Sequence, residues 1–282
     1  MKIRKPAQAG MFYAGSAASL KKELENCFKH KLGPGKLPNG ESISQNRIVT
    51  LVCPHAGYMY SGPVAATSYY ELACYKTPDN IIIIGPNHTG MGNAISLMNR
   101  GAWSTPLGEI QINTDLADSI IENSTIVDVE EKAHIYEHSI EVQLPFLQYL
   151  YGNNFSFVPI CMMIQDLETS RELGEAIHKA SNGVSTIIIA STDMTHYEPH
   201  NVATEKDMNA IHAIENLDEN KLDDVVRSNS ISMCGIGPVI SSIVYSKKVG
   251  AIKAKLLSYK TSGDISGDLS SVVGYAAISV KV

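Results

Sequence analysis

The chain has 282 residues, 44% hydrophobic and 18% charged, with 23 basic against 29 acidic residues and a formal net charge of −6. That composition describes an ordinary soluble globular protein, long enough for one large α/β domain or two small ones. With no basic block it offers no electrostatic footprint for nucleic acid, and no apolar run reaches the roughly 18 residues of a membrane span. Five cysteines (Cys27, Cys53, Cys74, Cys161 and Cys234) are odd in number and form no C-x-x-C pair. They argue against a disulfide framework or a four-thiolate zinc site and fit a reducing compartment. The first residues, Met1 to Pro6, are basic but lead into no apolar core of a signal peptide, so a cytoplasmic location is expected.

Ser16 is placed to cap an amphipathic helix over 17–30, with Leu20, Leu24 and Phe28 at helical spacing. A Gly/Pro-rich loop follows, and the span 32–45 reads as a surface feature. The run Ile48 to Cys53 is the first buried strand, and a helix over 64–75 has Pro63 as its first residue. A second strand covers 81–84, followed by a long irregular stretch through Trp103, Pro106 and Gly108. Thr114 is expected to cap a helix ending near Asn123, and 138–151 reads as a helix kinked at Pro145. Strands over 155–162 and 186–191 flank a helix over 167–181. Helices near 203–216, 219–228 and 236–247 come next, then a surface loop at 261–270 between strands over 253–260 and 271–282. Unbroken β-branched runs alternating with helices predict an α/β fold with a mostly parallel central sheet. With no repeat or clear linker, residues 1–282 read as a single domain.

Three of the strands lead into a histidine within a few residues: Cys53-Pro54-His55, Gly85-Pro86-Asn87-His88, and Ser191 through Asp193 to His196. Ligands of such sheets bind beyond the carboxyl ends of the strands. His55, His88 and His196 are therefore expected to meet as a metal site, with zinc, copper or non-haem iron all compatible with neutral imidazoles. Taken singly, each histidine reads as a cap or core residue; the coincidence of three carries the inference. His30, His178 and His212 fall in helices and read as surface residues, and His134 and His200 as exposed.

Asp193 lies three residues before His196 and shares its face if 193–196 forms a helical turn. It reads equally as a metal ligand or ring-orienting acceptor and as a helix cap. His138 and Glu141, also three apart, suit an acid/base role for His138, or a cap in which Ser139 and Glu141 satisfy first-turn amides. Cys234 precedes a helix, where the dipole favours thiolate, although an inert buried cysteine is the commoner outcome. Phe12, Tyr13, Tyr58 and Tyr60 are placed to wall a pocket or to pack. No phosphate-binding G-x-G-x-x-G or P-loop is present.

The segments Ala9-Gly10-Met11-Phe12-Tyr13, Cys53-Pro54-His55-Ala56-Gly57-Tyr58, Gly85-Pro86-Asn87-His88, Glu137-His138-Ser139-Ile140-Glu141, Ser191-Thr192-Asp193-Met194-Thr195-His196 and Cys234-Gly235 closely resemble the MEMO1 family, in order along nearly the whole chain. The resemblance implies a fold like that of class III extradiol dioxygenases, with His55, His88 and His196 as metal ligands and Asp193 and Cys234 beside the same pocket. It implies iron, Fe(II) foremost, or copper, and redox chemistry. It also implies AMMECR1-like and radical-SAM proteins as partners of archaeal and bacterial members. The family's eukaryotic members carry tryptophan at the position of Phe12, and Arg-His-Pro where this chain has Ile236-Gly237-Pro238. Their phosphotyrosine recognition is therefore not carried over.

Three functions follow as expectations. The first is a metal-dependent oxidoreductase on an unknown small substrate, with His138 moving protons and Asp193 orienting a ligand. The second is a non-catalytic adaptor whose pocket holds a peptide or partner. The third is zinc-assisted hydrolysis with Asp193 or Glu141 as base.

Overall fold

Runs such as Ile81-Ile82-Ile83-Ile84 have no polar face to turn to water, so they are stable only as inner strands covered on both sides. The computed structural model, which describes residues 2–39 and 47–282, builds the protein around four of them. Strands β2 (Ile48–Cys53), β3 (Asn80–Pro86), β8 (Ser156–Met162) and β9 (Thr186–Ser191) lie in the order β8-β3-β9-β2, all parallel. The register places Ile82 between Val158 and Ile188, and Ile83 between Pro159 and Ile189. Alternate side chains feed opposite cores. Ile82, Ile84 and Ile188 join one, Ile81, Ile83 and Ile189 the other.

The second core is closed by α1 (Ala17–Lys29), α2 (Tyr58–Ala73) and α4 (Leu144–Tyr151), through Leu20, Leu24, Phe28, Tyr69, Leu72 and Phe146. The first core is closed by α3 (Thr114–Glu122), α5 (Leu167–Ser181), α6 (His200–Glu215), α7 (Glu219–Ser228) and α8 (Ile236–Lys248). Strand β12 (Val272–Lys281) runs antiparallel to β2 and also pairs with β11 (Ala254–Thr261) and the short β10 (His196–Glu198). A five-residue helix, α9 (Ser262–Ser266), closed by a capping box between Thr261 and Asp264, occupies the expected loop at 261–270. The fold is α/β with a large, mostly parallel sheet flanked by helices, as the strand pattern predicts.

Several local expectations are corrected. The stretch after β3 is not irregular: β4 (Ile95–Leu97), β5 (Ala102–Thr105), β6 (Gly108–Ile112) and β7 (Val127–Val129) extend the sheet, and β1 (Ile3–Arg4) pairs with β5. These strands are too short to show a period of their own. Helix α2 begins at Tyr58, so Pro63 lies inside it, and α3 is capped by Asn113, whose side chain accepts from Leu116 N at 3.1 Å. Pro145 does not kink a helix; it opens α4, where its missing N–H costs nothing. His138 to Ile140 are non-helical, followed by a tight 3-10 turn over Glu141–Gln143. Residues 193–195 form no helical turn and run into β10, which begins at His196. His134, expected at the surface, is fully buried against Trp103, and His200 is half-buried. Of the predicted 32–45 loop, residues 40–45 lie outside the described residues. No helix is long and apolar enough to cross a membrane among the described residues.

Candidate metal centre

The parallel strands β2, β3 and β9 deliver their carboxyl ends to one edge, and the expected histidines emerge there. One ring nitrogen from each of His55, His88 and His138 lies within 4.8 Å of the others, a spacing that can hold a metal ion. The rings pack closely: His88 stacks on His138 at 4.4 Å between centroids, and His55 sits edge-on to both at 5.2 and 5.3 Å. His55 forms the buried floor, while His88 and His138 line the mouth. Phe12 lies over His138 at 4.8 Å.

Hydrogen bonds fix which nitrogen two of the rings, His55 and His88, present. Ser191 Oγ donates to Ser139 O at 2.6 Å, so its lone pairs accept from Gln143 Nε2 and from His55 Nδ1, both at 2.9 Å. His55 Nδ1 therefore carries the proton and Nε2 is left as the ligating atom. His88 Nδ1 donates to Glu137 Oε1 at 2.9 Å, which again leaves Nε2 free. Burial, reinforced by the neighbouring His138, His88 and His196, holds the His55 ring well below the usual imidazole range. Burial also lowers His138 to about 4, with Glu137 opposing and His88 adding to the effect. Both rings are neutral at pH 7, the form a metal requires.

The segment that brings His138 in is not anchored by a strand. Glu141, fully buried, accepts from Ala7 N and Gln8 N at 2.9 Å each, from Tyr13 Oη at 2.5 Å, and pairs with the Arg4 guanidinium. Arg4 also donates to His134 O and Glu137 O, and stacks 4.3 Å over the Trp103 ring. Gly85 lets the segment approach β3: a Cβ there would stand 2.3 Å from Ser139 Oγ. Glu141 therefore points away from His138, towards the N-terminal strap, and caps the amides of that strap, not of its own turn.

His196 lies outside the group of three. Its Nδ1 donates to Ser232 O at 2.9 Å, and it sits half-buried beside exposed Tyr197, close enough for its charge to depress His55. The signal for His138 was present in its spacing to Glu141, but its grouping with His55 and His88 depends on contacts with residues 4–13, far away in sequence.

Asp193 and Cys234 do reach the pocket. Asp193 caps no helix; its Oδ1 accepts from His55 N at 2.8 Å, and burial raises its carboxyl to about 6 against the His55 amide and the His196 and His88 rings. Cys234 Sγ lies 3.2 Å from His55 Nε2 and accepts from Asp193 N at 3.2 Å. The helix-terminus expectation of a thiolate is reversed: burial, then the Asp193 carboxylate, push the thiol above its ordinary value. Tyr13 and Tyr58 are core residues, Tyr58 donating to Val142 O at 2.6 Å, whereas Tyr60 is partly exposed at the rim beside Met11 and Met59.

Comparison with known proteins identifies the family. A family model described as Memo-like protein matches residues 4–279. A MEMO1 family protein of Methanopyrus kandleri is 50% identical over 277 residues, covering 98% of each chain. One of Methanothermobacter thermautotrophicus is 47% identical over 279 residues, covering 98% of this chain and all of the relative. The crystal structure of an uncharacterized protein from Escherichia coli K12 superposes with a TM-score of 0.55 at 14% identity, over 82% of this chain and 99% of that one. At that identity it speaks for the fold alone. On the match of nearly its whole length, the chain belongs to the MEMO1 (Memo-like) family.

Proposed function

We propose that the protein is a metal-dependent redox protein, with a non-haem iron centre, or copper in its place, at the carboxyl edge of the sheet and an unknown small molecule as its substrate. The observation that carries this reading is the His55, His88 and His138 cluster, in which the Nδ1 atoms of His55 and His88 are engaged in hydrogen bonds and their Nε2 atoms remain to ligate. Three neutral imidazoles suit iron, copper or zinc, and the fit is supported by the desolvated, deprotonated state of His55 and His138. A bound iron or copper would supply one-electron chemistry and an open coordination position.

The chain's own residues would do the rest. Asp193 holds the His55 backbone at the floor, and its carboxyl, raised to about 6, can carry or release a proton near neutral pH. His196, outside the cluster, is available at the rim for proton transfer through its Nε2. Phe12 shields His138 from water. Glu141 is unsuited to act as the base of a hydrolase, since four donors already occupy its carboxylate away from the cluster.

The test is anaerobic titration with Fe(II), Cu and Zn of wild type and of the His55→Ala, His88→Ala, His138→Ala and His196→Ala variants. Stoichiometric binding lost in the first three and retained in the fourth is expected. Binding that survives all four substitutions would sink the reading. O₂ consumption that depends on Fe(II) and disappears in His88→Ala would support the redox function over a purely binding one.

A further inference from the structure

Glu137 is a buried carboxylate whose hydrogen bonds are filled but which, among the described residues, no cationic lysine or arginine side chain matches. Its side chain is fully buried. A carboxylate in that position is costly unless a cation or a full set of donors compensates it. The nearest guanidinium, Arg4, is paired with Glu141 and reaches only the backbone oxygen of Glu137. Among the described residues no lysine or arginine pairs with the Glu137 carboxylate; its charged-group neighbours are the imidazoles of His88 and His138. Its acceptors are filled by His88 N at 2.6 Å, by His138 N and Ser139 N at 2.9 Å each, and by His88 Nδ1 at 2.9 Å. Every donor comes from the cluster or the segment that carries it.

We propose that Glu137 is the positioning residue of the centre: it locks His88 with Nδ1 protonated and supplies, one imidazole away, the negative charge that balances a bound dication. This rests on the metal-binding reading above and adds to it. Common non-haem iron centres hold the metal by two histidines and a carboxylate; here the three clustered side chains are imidazoles and the anion stands behind one of them. A carboxylate accepting from the far nitrogen of a ligating imidazole fixes the ring's orientation and raises its basicity. The buried charge that lacks a cationic side chain is then matched by the metal on the other side of the ring.

The experiment compares wild type with Glu137→Gln, which keeps the shape and an accepting oxygen but removes the charge. Co(II) alone, followed anaerobically by its d–d absorption, is the probe. Loss of about 10- to 100-fold in Co(II) affinity is expected, the range typical of removing such a partner, together with some loss of metal-free Tm, because the new amide NH2 must face an N–H that the carboxylate accepted from. Wild-type affinity in Glu137→Gln overturns the proposal and leaves the metal site standing. A lowered metal-free Tm with unaltered Co(II) affinity also overturns it, since Glu137 would then be structural only. Wild type that takes up no Co(II) sinks the metal reading itself. Should Glu137→Gln not fold, ¹⁵N shifts of His88 in the metal-free wild type decide: protonated Nδ1 is expected, and protonated Nε2 overturns the assignment.

Discussion

Two walls border the histidine cluster and are joined to each other through Ser191, yet they are held in different ways. One, residues 137–143, is held by side chains: Glu137, Ser139, Glu141 and Gln143 are all fully buried, and each is tied to a partner distant in sequence. The other, residues 191–196, adds to the side-chain bonds of Ser191, Thr192 and Asp193 a set of main-chain ones. Met194 N donates to Gly274 O, Gly274 N donates to Thr195 O, and Thr195 N donates to buried Asp207 at 2.9 Å. The first wall is pinned to the N-terminal strap and to the ends of the strands, and through Glu137 to His88. The second contains His196 and lies against Cys234, so the groups with the most chemistry to offer lie along it.

The comparison breaks most readily at the Arg4–Glu141 pair. Glu141→Ala leaves a buried guanidinium, two backbone amides and a tyrosine hydroxyl without their acceptor, and should cost about 3–5 kcal/mol of stability. Urea unfolding measures it; a loss near zero would mean that the first wall is not held by charge.

Next in size is a pH effect. His138 is lowered to about 4 in the folded protein against an unfolded value near 6.5. Between those values the unfolded chain binds more protons, so stability is full above about 6.5 and falls as pH drops towards 4. A depression of that size corresponds to roughly 3 kcal/mol. His138→Gln should flatten that part of the stability-versus-pH curve, and an unchanged slope would remove His138 as its source.

Smaller still is the effect of a methyl group. Gly85→Ala drives a Cβ into Ser139 of the first wall, and Gly235→Ala drives one into Ser191 O, at 2.3 Å, in the second. Overpacking of this kind costs about 1–3 kcal/mol. Because a serine side chain can turn aside and a carbonyl of the main chain cannot, Gly235→Ala is expected to lower the Tm more. The reverse order would show that the main chain at Ser191 yields more readily than the Ser139 side chain.

Least affected should be His196→Ala, a half-exposed ring outside the cluster, at about 0.5 kcal/mol or less of stability. A larger loss in thermal denaturation would place His196 among the structural parts of the second wall.

What the sequence discloses follows the same division. Strands β2, β3 and β9 are legible because consecutive β-branched residues have no alternative to a doubly covered strand, and His55 and His88 are legible because they follow such strands directly. The first wall is not. Glu141 meets Arg4 137 positions away, and nothing local announces that a non-helical turn will be pinned there or that His138 will join the cluster. Strands β4 to β7 are hidden for a related reason: three to five residues show no period, and their partners, β8 for β4 and β6, come much later in the chain. Pro145 misleads because its meaning depends on whether a helix is already under way or only beginning.

The unequal proton occupancy of the ligating candidates has a calorimetric consequence. His55 and His138 are neutral near pH 7, so a metal taking their lone pairs displaces no hydrogen ion from either ring. The Cys234 thiol, 3.2 Å from His55 Nε2 and held protonated by its burial, would have to give one up before its sulfur could bind. Heats of metal binding compared across buffers of different ionisation enthalpy would thus count the hydrogen ions released. They would read out whether the sulfur joins the imidazoles around the ion.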